Sequence, residues 1–406
     1  MENSAAPANE GHRILRVGAL GLGRAFSLMA PTFVNHPRAR LVAGADPRPE
    51  ARELFAKEFQ ARSYESIEDL CADEHVDAVY ISTPHHLHAQ QTRIAAAYGK
   101  HILVEKPMGL TVEECRSMVE AARSAGVCLL VGHSHSFDAP IARTRALIAS
   151  GNFGPLRMIT AMNFTDFLYR PRWPQELDTE HGGGVVFNQA PHQVDIIRLL
   201  GGGRLSRVRS IAGVWDRTRR TQGAYAALFT FENDCCATLT YSGYAHFDSD
   251  EMCDWIDELG RPKDRSLYGQ ARRALTQIDS NTSESELKAA RAYGGPAYAA
   301  PSRPQTSAHQ HFGFVLASCE KADLRPTPTG VAIYADEGVS FESCPPPEVP
   351  RGEVVDELYA AIVGGHSPLH SGEWGLATME GCLAILTSSR EGREVTLSNQ
   401  IGTGDD

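Results

Sequence analysis

Long apolar runs are absent from this sequence. Nowhere do roughly 18 apolar residues follow one another, the length a membrane-crossing helix needs. No Cys-x-x-Cys pair occurs among the nine cysteines, which removes the usual zinc frameworks and dithiol redox motifs. Cys235 and Cys236 are adjacent, a spacing that rarely bridges, so the set reads as reduced thiols. The opening residues, MENSAAPANEGH, hold no apolar stretch suited to a signal peptide. With no leader and no span expected, the expected compartment is the cytoplasm. Positive charge is scarce as well: 39 Lys and Arg against 50 Asp and Glu give a net charge of −11. That balance disfavours a general affinity for nucleic acid or an anionic membrane surface, so neither is expected as a partner.

What is present is an ordinary globular composition, 42% hydrophobic and 22% charged over 406 residues. That length suggests about two to three domains. Residues 1–12 are small and polar and read as a flexible tail. Short apolar runs follow at Ile14 to Leu20, Leu41 to Ala45, Ala78 to Ser82, His101 to Val104 and Cys128 to Val131. Amphipathic segments lie between them, at Pro49 to Phe59, Leu87 to Tyr98 and Val112 to Ala125. Alternating strands and helices predict an α/β domain over residues 13–135, a doubly wound parallel sheet covered on both faces.

The pattern changes after about residue 150. Longer strands are predicted at Leu156 to Asn163, Val208 to Trp215, Ala224 to Phe231 and Ala237 to Tyr244, with Glu232-Asn233-Asp234 as a hairpin connection. Helices are predicted at Val354 to Val363 and Gly375 to Glu391. Residues 136–398 therefore read as an α+β domain around a mostly antiparallel open sheet. Weak periodicity over 260–310 predicts an insertion or long loop over the active site, and 399–406 a second tail.

The first strand runs into Gly18-Ala-Leu-Gly21-Leu-Gly23-Arg24-Ala25. Glycine at such a turn permits positive φ and close approach of a pyrophosphate, and the following helix offers free N–H groups to the anion. Phe26 stands where a third small residue is usual. The second strand ends at Asp46, whose carboxylate can accept both hydroxyls of an adenosine ribose and repel a 2′-phosphate. These residues favour NAD over NADP, with Arg48 nearby keeping NADP use open. The plainer alternative is a simple turn followed by a helix capped by Asp46.

Two more segments carry a resemblance. One is Asp77-Ala-Val-Tyr-Ile-Ser-Thr83-Pro84-His85-His86-Leu-His88 with Gly99-Lys-His-Ile-Leu-Val-Glu105-Lys106-Pro107. The other is Gly182-Gly-Gly184-Val-Val-Phe-Asn188-Gln-Ala-Pro-His192-Gln-Val-Asp195. With the opening glycines they resemble the glucose-fructose oxidoreductase / inositol dehydrogenase / MocA family, across nearly the whole chain. The resemblance implies a Rossmann domain followed by an open-sheet domain that lines the substrate site. It places Lys106 beside the nicotinamide ribose and the substrate hydroxyl, with a cis Lys106–Pro107 bond. It places His192 with Lys106 as acid–base pair, and Thr83, Pro84, His88 and Glu105 along the cofactor with Gly21, Gly23, Arg24, Ala25 and Asp46. Physical chemistry agrees: a lysine desolvated near a positive nicotinamide has its pKa lowered toward working pH, and an imidazole can relay or orient a proton. A surface lysine, or a buried helix histidine satisfied by Asn188 or Asp195, is the bland alternative. His85, His86 and His88 invite a metal reading, but nothing completes a ligand set, and no metal is expected.

Many family members carry aspartate where this chain has Asn188, which can bond a hydroxyl but cannot accept its proton. Lys106 or His192 is then the sole base, or the substrate is not a polyol. Between Asn163 and Asp178 stand Arg170, Arg172, Trp173, two phenylalanines and Tyr169. Aromatics favour a flat ring and arginines a carboxylate; a solvated surface loop is the other reading of that composition. The stretch resembles the phthalate dihydrodiol branch of the family. That branch implies NAD-dependent oxidation of a carboxylated cyclic cis-dihydrodiol, of the 4,5-dihydroxy-4,5-dihydrophthalate type, to a catechol. Arg170 and Arg172 would hold the carboxylates, and Trp173, Asn188, His133 and His135 would line the pocket. A sugar or inositol dehydrogenase is the second reading, and a nucleotide-binding regulator without catalysis a third, against which Lys106 and His192 argue. An exposed face of the second sheet would suit a homo-oligomer.

Overall fold

The computed structural model describes residues 13–244, 246–278, 283–298 and 308–404; the tail expected over 1–12 lies outside them. Six strands form the first sheet: β1 (Leu15–Leu20), β2 (Ala39–Ala45), β3 (Arg62–Tyr64), β4 (Ala78–Ile81), β5 (His101–Val104) and β6 (Leu129–Val131). They lie in the order β3-β2-β1-β4-β5-β6, all parallel. Every residue of β4 is buried, as expected of a strand covered by helices on both faces. The helices Pro49–Phe59 and Val112–Ala125 match the amphipathic segments read from sequence. The latter is fixed by a capping box at Thr111 and Glu114 and a left-handed Gly126. Strand β3 was not anticipated; at three residues it is too short to show a period.

The second sheet has nine strands: β7 (Leu156–Phe164), β8 (Leu205–Gly213), β9 (Ala224–Phe231), β10 (Cys236–Ser242), β11 (Phe314–Cys319), β12 (Ala322–Thr327), β13 (Gly330–Ala335), β14 (Gly338–Ser343) and β15 (Val395–Thr396). Their order is β14-β13-β12-β11-β7-β10-β9-β8-β15. Only β7 and β10 pair in parallel; the other neighbours are antiparallel. The sequence reading missed the meander β11–β14, although its six-residue strands are joined by tight two-residue turns. One face of this sheet packs on the helix Ala190–Gly201, all of whose residues are buried. The other face leaves Met158, Ile211, Leu228, Tyr334 and Phe341 exposed.

Two devices hold the halves together. The helix Gly372–Glu391 packs on β8 and on the helix Val112–Ala125 at once, and its leading loop bonds back to β6 through Val131 N and His370 O at 2.9 Å. The second device is the segment expected as a long loop. Its described residues form two short helices, Gln270–Thr276 and Glu284–Ala290, and then bury Tyr293 completely. The Tyr293 ring lies 5.1 Å from Phe26, edge-on, and stacks on Phe59 at 6.5 Å; its hydroxyl donates to Glu58 at 2.7 Å. This explains Phe26 in the glycine fingerprint: the position faces an aromatic cluster completed by the far half of the chain. The tail expected from 399 is docked as far as it is described. Asn399 and Gln400 bond to Glu380, and Thr403 N donates to Gly202 O at 3.1 Å.

Candidate active site

The glycine turn is pinned from below. Gly21 N donates to Ala45 O at 2.8 Å, and Leu22 N to Asp46 Oδ2 at 2.8 Å. Gly21 has φ +84°, and a Cβ there would come within 2.6 Å of the Thr83 methyl, so only glycine lets the Thr83 loop pack on the turn. A Cβ on Gly23 would meet nothing within 4 Å. Gly23 is also the cap of the 12-residue helix Arg24–Asn35, which has no side-chain cap. Bare backbone at an uncapped helix start fits the pyrophosphate of a dinucleotide. Arg24 is exposed beside it, and Ala25 half-buried.

Asp46 is fully engaged. Oδ1 accepts from Arg48 N and Nε at 2.9 Å each, and Oδ2 accepts from Leu22 N and from Arg48 Nη2 at 3.1 Å. Arg48 is itself fixed by Leu22 O and Tyr293 O. A ribose can therefore reach the Asp46 carboxylate only if the Arg48 guanidinium swings aside, a constraint the sequence did not reveal.

Glu105 and Lys106 follow directly on β5 and lead into the cis Lys106–Pro107 bond. Tyr80 Oη donates to the buried Glu105 at 2.6 Å. Lys106 Nζ donates to the backbone oxygen of Asn188 at 2.9 Å. Burial is the main cause that lowers the Lys106 pKa, and the Arg351 charge adds to it, while Glu105 opposes. With Ser134 and Asp195, Lys106 lines a cavity of about 20 Å³, room for a single water.

His192 lies one helical turn after Asn188. Burial holds its imidazole well below the usual range, helped by the positive Lys106 and by His135. Its Nδ1 is buried and has no hydrogen-bond partner among the described residues. Neither partner that the bland reading offered is available. Asn188 Nδ2 donates to Gly184 O at 2.8 Å, and Asp195 is taken by Ser136 and the Trp374 indole. A buried ring nitrogen without a partner is unusual; beside a desolvated lysine it fits a group that binds substrate. The Ser134 hydroxyl is likewise buried and unpartnered. The His192 ring packs on His135 at 4.8 Å and on Phe312 at 4.7 Å.

His135 Nδ1 is 2.8 Å from Asp138 Oδ2, and His133 Nε2 is 3.6 Å from Asp138 Oδ1. Burial pushes both histidines down to about 3, so both are neutral at neutral pH. The structure thus brings the His192 and His135 rings into contact, sets Lys106 close enough for its charge to act on His192, and places His133 against His135. Asp138 was missed; in sequence it is one aspartate before an ordinary helix.

Four expected residues are placed differently. His88 has both ring nitrogens engaged within the protein, 2.9 Å from Thr83 O and 3.0 Å from Pro107 O, and it is wholly buried. It ties the Thr83–Pro84 loop to the Lys106 turn. Asn188 contributes its carbonyl, while its amide is spent on the glycine loop. Arg172 sends Nε and Nη2 to Phe167 O at 3.0 and 2.7 Å, and lies 3.6 Å above the Phe167 ring. Arg170 is paired with Asp166 at 2.6 Å and lies 3.8 Å from Glu258. Their donors knit the loop itself. Trp173 is half-buried, its N–H bonded to Glu176. Among the described residues no group of three His, Cys, Asp or Glu is placed to hold a metal ion, and no helix is long and apolar enough to cross a membrane.

Comparison with known proteins adds to this geometry. Residues 15–133 match an oxidoreductase family with an NAD-binding Rossmann fold, and residues 141–256 match the GFO/IDH/MocA C-terminal domain. The chain is 46% identical to the 1-carboxy-3-chloro-3,4-dihydroxycyclohexa-1,5-diene dehydrogenase of Comamonas testosteroni, over 93% of this chain and 95% of that one. A solved chain from Bordetella bronchiseptica RB50 is 42% identical and superposes with a TM-score of 0.89, covering 95% of this chain and all of that one. A Bordetella pertussis dehydrogenase solved with NADH and UDP-GlcNAcA shares the fold, with a TM-score of 0.67 at 22% identity, covering 95% and 99% of the two chains.

Proposed function

The chain belongs to the GFO/IDH/MocA family of NAD-binding oxidoreductases, and on that premise we propose that it oxidises a carboxylated cyclic cis-dihydrodiol to the corresponding catechol. The observation that carries the chemistry is the pair Lys106 and His192: an amine desolvated by burial beside an imidazole held neutral, with the imidazole Nδ1 unpartnered. NAD, when bound, accepts the hydride from the ring carbon. One Lys106 N–H is held by Asn188 O, so the neutral amine can turn its lone pair to the substrate hydroxyl and take the proton. His192 holds that hydroxyl in line. Burial lowers the lysine pKa, the direction that favours the neutral amine a base requires. The ketone so formed tautomerises to an aromatic diol, which drives the step forward.

The substrate class draws support from a relative, 46% identical over nearly its whole length, whose name describes a ring bearing one carboxyl and two vicinal hydroxyls. A phthalate-type diol, with two carboxylates, is the finer form of this proposal. Asn188, which cannot act as the third member of a proton relay, speaks against a polyol. The proposed compartment is the cytoplasm, consistent with nine free cysteines. The proposed assembly is a homo-oligomer through the exposed apolar face of the second sheet, to be checked by sedimentation.

The test is to supply NAD with a carboxylated cis-dihydrodiol, and in parallel myo-inositol and glucose, and to follow NADH and the aromatic product. Formation of one catechol per NADH with the diol is expected. Faster turnover of inositol or glucose would overturn the proposal.

A further inference from the structure

Arg351 precedes the helix Gly352–Gly364 with φ +58° and ψ +24°, a left-handed conformation that costs a non-glycine residue energy and persists where the surroundings impose it. The imposition is visible. Thr32 Oγ1 donates to Pro350 O at 2.6 Å, which fastens this backbone to the helix that begins at the glycine turn. Gly352 N closes the bend onto Val349 O at 3.0 Å. The Arg351 side chain is half-buried and makes a single hydrogen bond, from Nε to Gln310 Oε1 at 3.2 Å. Gln310 is two residues before Phe312, the ring that packs on His192 and His135. Both terminal nitrogens of Arg351 meet no acceptor among the described residues.

The contrast with the other arginines of the cleft decides the matter. Arg170 bonds Asp166 through Nε and turns Nη1 toward Glu258 at 3.8 Å, so two carboxylates already face it; Arg172 is spent on Phe167 O and Glu176, and Arg219 on Glu284. Arg24 stands at the start of the nucleotide helix, where a phosphate is the expected anion. Arg351 combines a sterically enforced position with a fork whose terminal nitrogens meet no acceptor among the described residues, and its charge acts on both His192 and His135. A planar guanidinium with two free nitrogens suits a carboxylate, which it can take in two parallel hydrogen bonds.

We propose that Arg351, held by Gln310, is the specificity-determining residue that receives the substrate's ring carboxylate. This rests on the reading that the substrate is carboxylated. Burial lowers the Arg351 pKa while Glu105, Tyr80 and Asp138 oppose it, and a carboxylate docked on the fork would add to that opposition.

The test uses Arg351→Gly, because glycine relieves the left-handed backbone while removing the side chain, with Arg351→Gln as a second variant. Each is assayed with a carboxylated cis-dihydrodiol and with its uncarboxylated analogue, and NAD binding is measured separately. In Arg351→Gly, KM for the carboxylated diol should rise roughly 100-fold, the loss of a charge-assisted pair. KM for the neutral diol and the Kd of NAD should stay within about threefold. An equal loss on both diols would make Arg351 structural, and a weakened NAD with unchanged diol preference would make it a phosphate contact; either result overturns the proposal. If the wild-type protein itself shows no preference for the carboxylated diol, the functional reading fails. If it does and Arg351→Gly keeps that preference, the assignment of Arg351 fails.

Discussion

The nucleotide half and the substrate half offer their proposed ligands different materials. In the first, the surface offered is backbone. Gly21 admits Thr83, Gly23 leaves space, and the start of the helix Arg24–Asn35 offers uncapped N–H groups. In the second, the surface is side chains, and most polar side chains there are already bonded to each other. What matters in that half is which donors remain unspent. The difference teaches that residue identity is a good guide where backbone geometry demands one residue type, and a poor one where a side chain's partners decide its role.

The largest effect expected from breaking this comparison comes from the backbone half. Gly21→Val adds a side chain at φ +84° and drives it into Thr83. Strain and overpacking together cost about 2–5 kcal/mol. A large drop in melting temperature and loss of NADH binding by fluorescence titration are expected. Next is the aromatic lock between the halves. Tyr293→Ala empties the space beside Phe26 and Phe59 and should cost about 3 kcal/mol in denaturant unfolding. Tyr293→Phe, which keeps the ring and loses only the Glu58 bond, should cost about 1 kcal/mol.

A pH-dependent effect, outside that ranking of substitutions, follows from His133 and His135. Their folded pKa of about 3 lies below the unfolded value of 6.5, so below pH 6.5 the unfolded chain binds more protons. Stability is therefore full above about pH 6.5 and falls as pH drops toward 3, by at most about 1.4 kcal/mol per pH unit for each histidine. Burial raises the Asp138 carboxyl pKa, which offsets part of that loss at the acid end. Melting curves between about pH 7 and 4 should show the decline, and His133→Gln should flatten it. The smallest effect belongs to the arginine that sequence composition favoured. Arg170→Ala should change KM for the carboxylated diol by less than about threefold, because its partners are Asp166 and Glu258.

The same division explains what could be read from the sequence. The alternation of strands and helices in the first domain, the glycine turn and the Glu105-Lys106-Pro107 turn were legible because period and backbone geometry write themselves into residue type. Phe26 looked like a defect, since the aromatic side chain that completes its pocket, Tyr293, lies some 270 positions away. Asp46 was read for its carboxylate, and nothing local says that Arg48 would cover it. Arg172 was read for its charge, whereas the Phe167 carbonyl had already taken its donors. Arg351 follows a proline-rich connection with no motif around it. Its position depends on a fold that carries residue 350 onto Thr32, and only the folded chain brings it to Gln310, two residues before the Phe312 ring that packs on His192. The meander β11–β14 carried a weak signal, strands beginning at 314, 322, 330 and 338, that a search for a repeat of short strands would have found.

The most direct test of the account is Lys106→Ala, measured at saturating NAD with the carboxylated diol and, separately, for NADH affinity. The account predicts that turnover falls at least about 1000-fold while the dissociation constant of NADH moves by less than about threefold. A variant that keeps more than about a tenth of wild-type turnover would contradict it, and the base would have to be sought elsewhere than at the Lys106 amine.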